Sequence, residues 1–165
     1  MKNVLKYIII LFISCFTCLN VFSAETKLLT AGITIVPETF LGTWRVVSKL
    51  AETDSPATFK ENNIDLWNLN RVGNVITLRN PSNGACADIT MDKSTQNYVV
   101  FSKTGKNGNK ILTDTVEITI NGNNFVGTNT LKLDTYSDVN GKIIKTETAK
   151  YAIKGEKING QSVFE

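Results

Sequence analysis

The sequence predicts an all-β chain, an antiparallel up-and-down meander of about eight strands closing into a barrel. Three observations carry that expectation. From Gly42 onward, apolar and polar residues alternate with period 2 in run after run; short turns rich in Asn, Gly and Pro separate the runs; and beyond the N-terminal leader no stretch shows a 3.6-residue period. Closure follows from the connectivity. Neighbour-to-neighbour turns leave one exposed edge at each end of a meander, and joining the two removes both.

The leader is an address. Lys2 and Lys6 supply a positive start, an apolar core runs over residues 7–19, and Val21-Phe22-Ser23 precedes a cleavage point after Ser23 or Ala24. That core is shorter than the roughly 20 residues of a membrane span. Cys15 follows Phe12-Ile13-Ser14, and the apolar run continues past it, which disfavours a lipid anchor. The expected division is a secretory signal over residues 1–23, an N-terminal arm over 24–41 and one barrel domain over 42–165, placed outside the cytoplasm in the periplasm or the medium.

Removing the leader changes the balance of charge and thiols. Two of the 18 basic residues go, against 15 acidic ones, so the mature chain is close to neutral and offers no basic field for nucleic acid. The only membrane contact expected is transient, through the signal peptide. Of the 3 cysteines only Cys86 remains, so no disulfide can staple the fold. A chain of about 140 residues buries roughly two-thirds of its surface on folding and needs no staple. Cys86 is expected as a buried or half-buried apolar filler.

The elements follow in order. In the arm, Leu28, Leu29, Ile33, Ile35 and Val36 suit a short packed segment that Pro37 ends. The first strand begins at Gly42, with Trp44, Val46, Ser48 and Leu50 on one face. Residues 53–63 are polar apart from Phe59 and form a loop long enough to act as a lid. Strands are expected at 64–72, 75–79, 85–91 and 97–103, and a loop at 104–110, where two glycines and two asparagines cluster. In the next strand Leu112, Asp114, Val116, Ile118 and Ile120 share the inner face while threonines face out. The turn Asn121-Gly122-Asn123-Asn124 returns the chain into Phe125, Gly127, Asn129, Leu131 and Leu133, all inward. Residues 155–164 hold a weak run that could add a short closing strand.

Parity decides the register of the last hairpin. A two-residue Asn140-Gly141 turn would set Thr148 opposite Leu133 and Lys150 opposite Leu131. A three-residue loop, Val139-Asn140-Gly141 with a left-handed Gly141 in a bulge, turns Glu147, Ala149, Tyr151 and Ile153 inward instead. Tyr151 then faces Asn129, and Ile153 faces Gly127.

Phe40-x-Gly42-x-Trp44, after a short irregular arm and at the head of the first of eight strands, resembles the first motif of lipocalins and related calycin-type barrels. The resemblance implies a lipocalin-like barrel in which Gly42 and Trp44 close one end. A basic residue of the last strand lies across the tryptophan in that family, and here Lys150 or Lys154 would have to supply it. Residues 53–63 fall where lipocalins carry a large mobile loop. Avidin-type barrels open similarly, but their tryptophan-rich biotin site is not reproduced by a chain whose tryptophans are Trp44 and Trp67.

The absence of histidine removes the commonest general base and metal ligand, and a single mature cysteine excludes a Cys/His zinc set. Carboxylates are scattered singly, and neither a nucleophile elbow nor a phosphate loop occurs. No enzyme activity, cofactor or metal is therefore expected. Small barrels are either filled by side chains or leave room for one molecule. The expectation is a small apolar ligand inside the barrel. Its candidate wall is Val46, Tyr98 or Val99, Ile118, Asn129, Leu131 and Tyr151, with Trp67 near a rim. The competing expectation is a cell-envelope interaction or inhibitor protein working through its loops with a filled core. Asp114, Asn129 and Glu147 face inward in this reading, and a buried polar group needs a partner or water.

Overall fold

The structure, a computed structural model, describes residues 36–159. The signal peptide expected over residues 1–23, the arm up to residue 35 and the chain beyond residue 159 lie outside the described residues. A single 3-10 turn, Glu38–Phe40, leads into eight strands: β1 Gly42–Thr53, β2 Asn62–Val72, β3 Val75–Arg79, β4 Cys86–Ser94, β5 Tyr98–Asn107, β6 Lys110–Asn121, β7 Asn124–Tyr136 and β8 Ile143–Asn159. Each strand pairs antiparallel with the next and β8 pairs with β1, so the meander closes as the alternation predicts. Gly42 makes the entry to β1 possible, because its φ of 117° is a conformation that a Cβ would disfavour.

Three local expectations need correction. Residues 104–107 are strand, not loop: β5 and β6 pair out to Asn107 and Lys110 around a two-residue Gly108-Asn109 turn. That hairpin end extends past the core with much of its surface in solvent, so its composition carries no apolar alternation. Gly155 does not separate a ninth strand. Chain β8 runs straight through it to pair Gly155 with Val46 and Lys157 with Trp44. A Cβ at Gly155 would lie 2.1 Å from the Phe125 ring, so the glycine is a packing requirement rather than a break. In the last hairpin the inward set is the one parity selects, with Tyr151 opposite Asn129 and Ile153 opposite Gly127. The offset comes from elsewhere, since a bulge beside Ile144 supplies the extra residue and the connection spans residues 137–142, with Gly141 left-handed at φ 65°.

The barrel has two unlike ends. At the end where β1 begins, Phe40, Trp44, Phe101 and Phe125 are almost fully buried with Leu69, Ile118 and Ile153. Trp44 lies 5.1 Å from Phe125 between ring centroids, Phe40 5.6 Å from Phe101, and Trp67 stacks on Phe125 at 5.9 Å while meeting Phe101 edge-on at 6.2 Å. Such pairs contribute about 0.5–1.5 kcal/mol each beyond the area they bury. The Trp44 indole N–H donates to the Phe40 carbonyl at 2.9 Å, so the plug leaves no buried donor unmatched. Lys157 Nζ lies 5.2 Å above the Trp44 ring and donates to the Thr39 carbonyl at 2.9 Å. The basic cover of the tryptophan is therefore Lys157, not Lys150 or Lys154, whose even-numbered positions in β8 point outward.

The pairing of β4 with β5 is incomplete. β4 and β5 pair only where residues 90–94 meet 99–102, with a bulge between Met91 and Lys93. Towards the opposite end, residues 86–89 are paired only with β3 and residues 103–107 only with β6. The two strands part there and leave a seam.

Candidate functional site

Along four of the strands the inward residues change from apolar to polar at about one level. From the plugged end outward, β1 presents Trp44, Val46 and then Ser48; β2 presents Leu69, Trp67, Asp65 and Asn63; β5 presents Val99, Phe101 and Lys103; and β6 presents Ile118, Val116 and Asp114. Above Trp67 the interior is hollow. A cavity of about 660 Å³ is lined by Trp67, Leu78, Leu112, Leu131 and Tyr151 together with Asp65, Asn80, Lys103, Asp114 and Asn129. Trp67 is thus the floor between the filled and hollow halves rather than a rim residue.

Polar groups inside this cavity are only partly paired. Lys103 and Asp114, directly opposite in β5 and β6, form an ion pair through Asp114 Oδ2. Asp114 Oδ1 and Asn129 Oδ1 are buried and accept no hydrogen bond from the protein. On the opposite wall Asp65 accepts from Asn63 and, at 3.0 Å, from Asn80 Nδ2. The cavity therefore combines apolar surface with fixed acceptors and the ammonium groups of Lys103 and Lys60.

The β1–β2 loop, residues 54–61, lies over the mouth. Phe59 is buried at 8% exposure and lines the cavity from above with Thr58 and Lys60. Hydrogen bonds fasten this loop to β8. Glu147 Oε1 accepts from the Thr58 hydroxyl at 2.6 Å, Asp54 accepts from the Thr148 amide and hydroxyl at 2.8 Å each, and the Tyr151 hydroxyl donates to the Lys60 carbonyl at 2.9 Å. The Thr58 hydroxyl foremost, and then Lys145 at 2.9 Å, hold the Glu147 carboxyl down to about 2 against desolvation. Burial pushes the Tyr151 phenol up.

Four of the candidate wall residues, Trp67, Asn129, Leu131 and Tyr151, are brought together around the cavity. Val46 and Ile118 are not: both are buried in the filled half below Trp67. Tyr98 lies on the outer face, where its hydroxyl donates to Glu117 at 2.8 Å and Lys93 covers its ring, and Val99 takes the inward place. Pairing with β6 decides between the two, because Val99 stands opposite Ile118 and Phe101 opposite Val116, which turns the odd-numbered residues of β5 inward. Gly42 and Trp44 belong to the closed end. Cys86 is exposed at the cavity mouth rather than buried, because Ala87, not Cys86, has the inward parity of β4. Lys103, Leu78, Asp65 and Phe59 were not singled out. The signal for Lys103 was present, since it continues the inward Val99, Phe101 series, but its charge and place at the expected strand end hid it.

Among the described residues no three His, Cys, Asp or Glu side chains converge on one point. No protein-family model, curated protein or solved structure matches the chain.

Proposed function

We propose that this chain is an exported lipocalin-like carrier that holds one small molecule in the open half of its barrel. The observation that carries the reading is the cavity above Trp67. At about 660 Å³ it falls within the roughly 300–1,000 Å³ of small-ligand sites, and a fastened loop carries Phe59 over it. The Lys157 cover on Trp44 and the Gly42 entry support the lipocalin-like part. The leader-like first 23 residues support export. A membrane-spanning barrel needs an outward apolar band about 25 Å tall, whereas Arg45, Lys49, Glu117, Lys132 and Lys154 are exposed on outward faces here. No catalysis or cofactor is part of this reading.

Titration of the mature protein with fatty acids, retinoids, porphyrins and monoglycerides, followed through Trp67 fluorescence, tests it. Saturable one-to-one quenching is expected, and Leu131→Trp, which projects a larger ring into the cavity, should weaken binding while the melting temperature holds. No response to any member of the panel would overturn the carrier reading.

A second reading, an envelope interaction protein acting through its loops, is favoured by one feature. Val139 is 94% exposed and Ile144 66% exposed at the tip of the β7–β8 hairpin. A double Val139→Ser, Ile144→Ser variant that loses a partner retained by the parent in pull-down from its own envelope fraction would support it.

A further inference from the structure

Two acceptor oxygens in the cavity are left without donors, and they are placed for one head group. Asp114 is 6% exposed, and its Oδ2 is taken by Lys103 while its Oδ1 accepts nothing. Asn129 Oδ1 accepts nothing either. Asp114 stands opposite Leu131 and Asn129 opposite Val116, so the two polar residues are diagonal neighbours on the inner face. Such neighbours lie about 7–8 Å apart at the backbone, within reach of a single small group. A buried acceptor without a donor costs about 1–3 kcal/mol, so whatever occupies the cavity gains by donating hydrogens here.

The charge around these oxygens narrows the donor. Asp114 and Lys103 neutralise one another, and Lys60 and Asp65, the other charged residues of the lining, cancel as well, so the site has no net charge to offer. A carboxylate head brings no hydrogen to give and meets the Asp114 charge. An alkylammonium brings donors, but it adds a full positive charge beside Lys103 in a low-dielectric setting, where like charges interact strongly. A hydroxyl donates without either cost, and a diol can serve both oxygens. Beyond the pair, Leu112, Leu131, Trp67 and Tyr151 offer apolar wall to a chain.

Resting on the carrier reading above, we propose that the ligand is a neutral, hydroxyl-headed amphiphile of the monoacylglycerol or alkyl diol class. Asp114 Oδ1 and Asn129 would receive its hydroxyls, and the apolar wall would hold its tail.

Calorimetric titration of the mature protein with three probes of equal chain length tests this: monodecanoylglycerol, decanoic acid and decylamine. The monoglyceride is expected to bind at least about tenfold tighter than either ionic probe, the factor expected for one well-placed hydrogen-bonded group. Asn129→Leu should bring the three affinities within about threefold of one another by weakening the monoglyceride alone, the loss of one donor–acceptor pair. Equal affinities in the unmodified protein, or preference for the acid or the amine, would overturn the head-group assignment and leave the carrier reading standing. Binding of none of the three would overturn the head-group assignment, and with no response to the wider panel the carrier reading falls too.

Discussion

The two halves of the barrel are made by the same eight strands with the same alternation, yet one is solid and the other is not. Below Trp67 the inward positions hold Phe40, Trp44, Phe101, Phe125 and branched aliphatics, nearly all without solvent exposure. Above it the same face carries Ser48, Asp65, Lys103, Asp114 and Asn129 around a cavity. Period-2 alternation decides which residues face in, but their size and polarity decide whether the inside is filled. The packed core and the cavity are thus separated along the barrel axis, and substitutions in the two halves should not behave alike.

The largest difference is expected from Trp44→Ala. It removes a fully buried ring, its hydrogen bond to Phe40 and the Lys157 contact, and should lower unfolding free energy by about 3–5 kcal/mol in denaturant titration. A loss under about 1 kcal/mol would mean that the plug is not the stabilising half. Gly155→Ala comes next. Its new methyl meets the buried Phe125 ring, and overpacking of that kind costs about 1–3 kcal/mol. Phe125→Leu in the same chain should recover part of the loss, because it removes the ring atoms the methyl strikes. Leu131→Ala, in the hollow half, enlarges an existing cavity instead of creating one, and should cost under about 1.5 kcal/mol, below the range for a fully packed leucine.

The last effect belongs to the lid and is read as a dependence on pH. Glu147 titrates from an unfolded value near 4.5 to a folded one of about 2, so its carboxylate stabilises the fold above pH 4.5 and that contribution is lost as pH falls towards 2. Asp54 and Asp134 are also held below the usual carboxylate range, by Thr148 and by Lys132 respectively, and act in the same direction. The melting temperature should therefore fall between pH 4.5 and pH 2, with a shallower slope in Glu147→Gln. Equal slopes in the two proteins would place the acid sensitivity outside the lid.

The two halves were not equally legible in the sequence. Alternation exposed β1, β6, β7 and β8 well, and parity alone set Tyr151 opposite Asn129 because a one-residue slip would have buried Lys150. The plug was visible through Phe40, Gly42 and Trp44. Its cover was not, since Lys157 lies beyond a glycine that reads as a stop but serves to admit Phe125. The hollow half was harder to see. Asp114 and Asn129 stood out as inward polar residues, but a polar residue on an inner face signals a cavity only when its partners are known, and pairing between β5 and β6 is what brings Lys103 to Asp114. Tyr98 shows how narrow the margin is: sequence alone left Tyr98 and Val99 as alternatives, and only the register with β6 turns Val99 inward and Tyr98 out.

The seam between β4 and β5 bears on how the molecule breathes. Residues 86–89 and 103–107 face one another without ladder bonds, so the β3–β4 and β5–β6 hairpins can spread apart there while every other strand pair stays hydrogen-bonded. Segments without ladder bonds on one side open locally at lower free energy than the whole fold. Amide exchange along residues 86–89 and 103–107 would then run ahead of exchange in β6, β7 and β8. Ala85, Cys86 and Ala87 on one bank, with Lys103, Thr104 and Gly105 on the other, border the cavity directly. Under the proposed carrier function, the seam offers a second route into the cavity, bordered by these two banks and separate from the Phe59 loop.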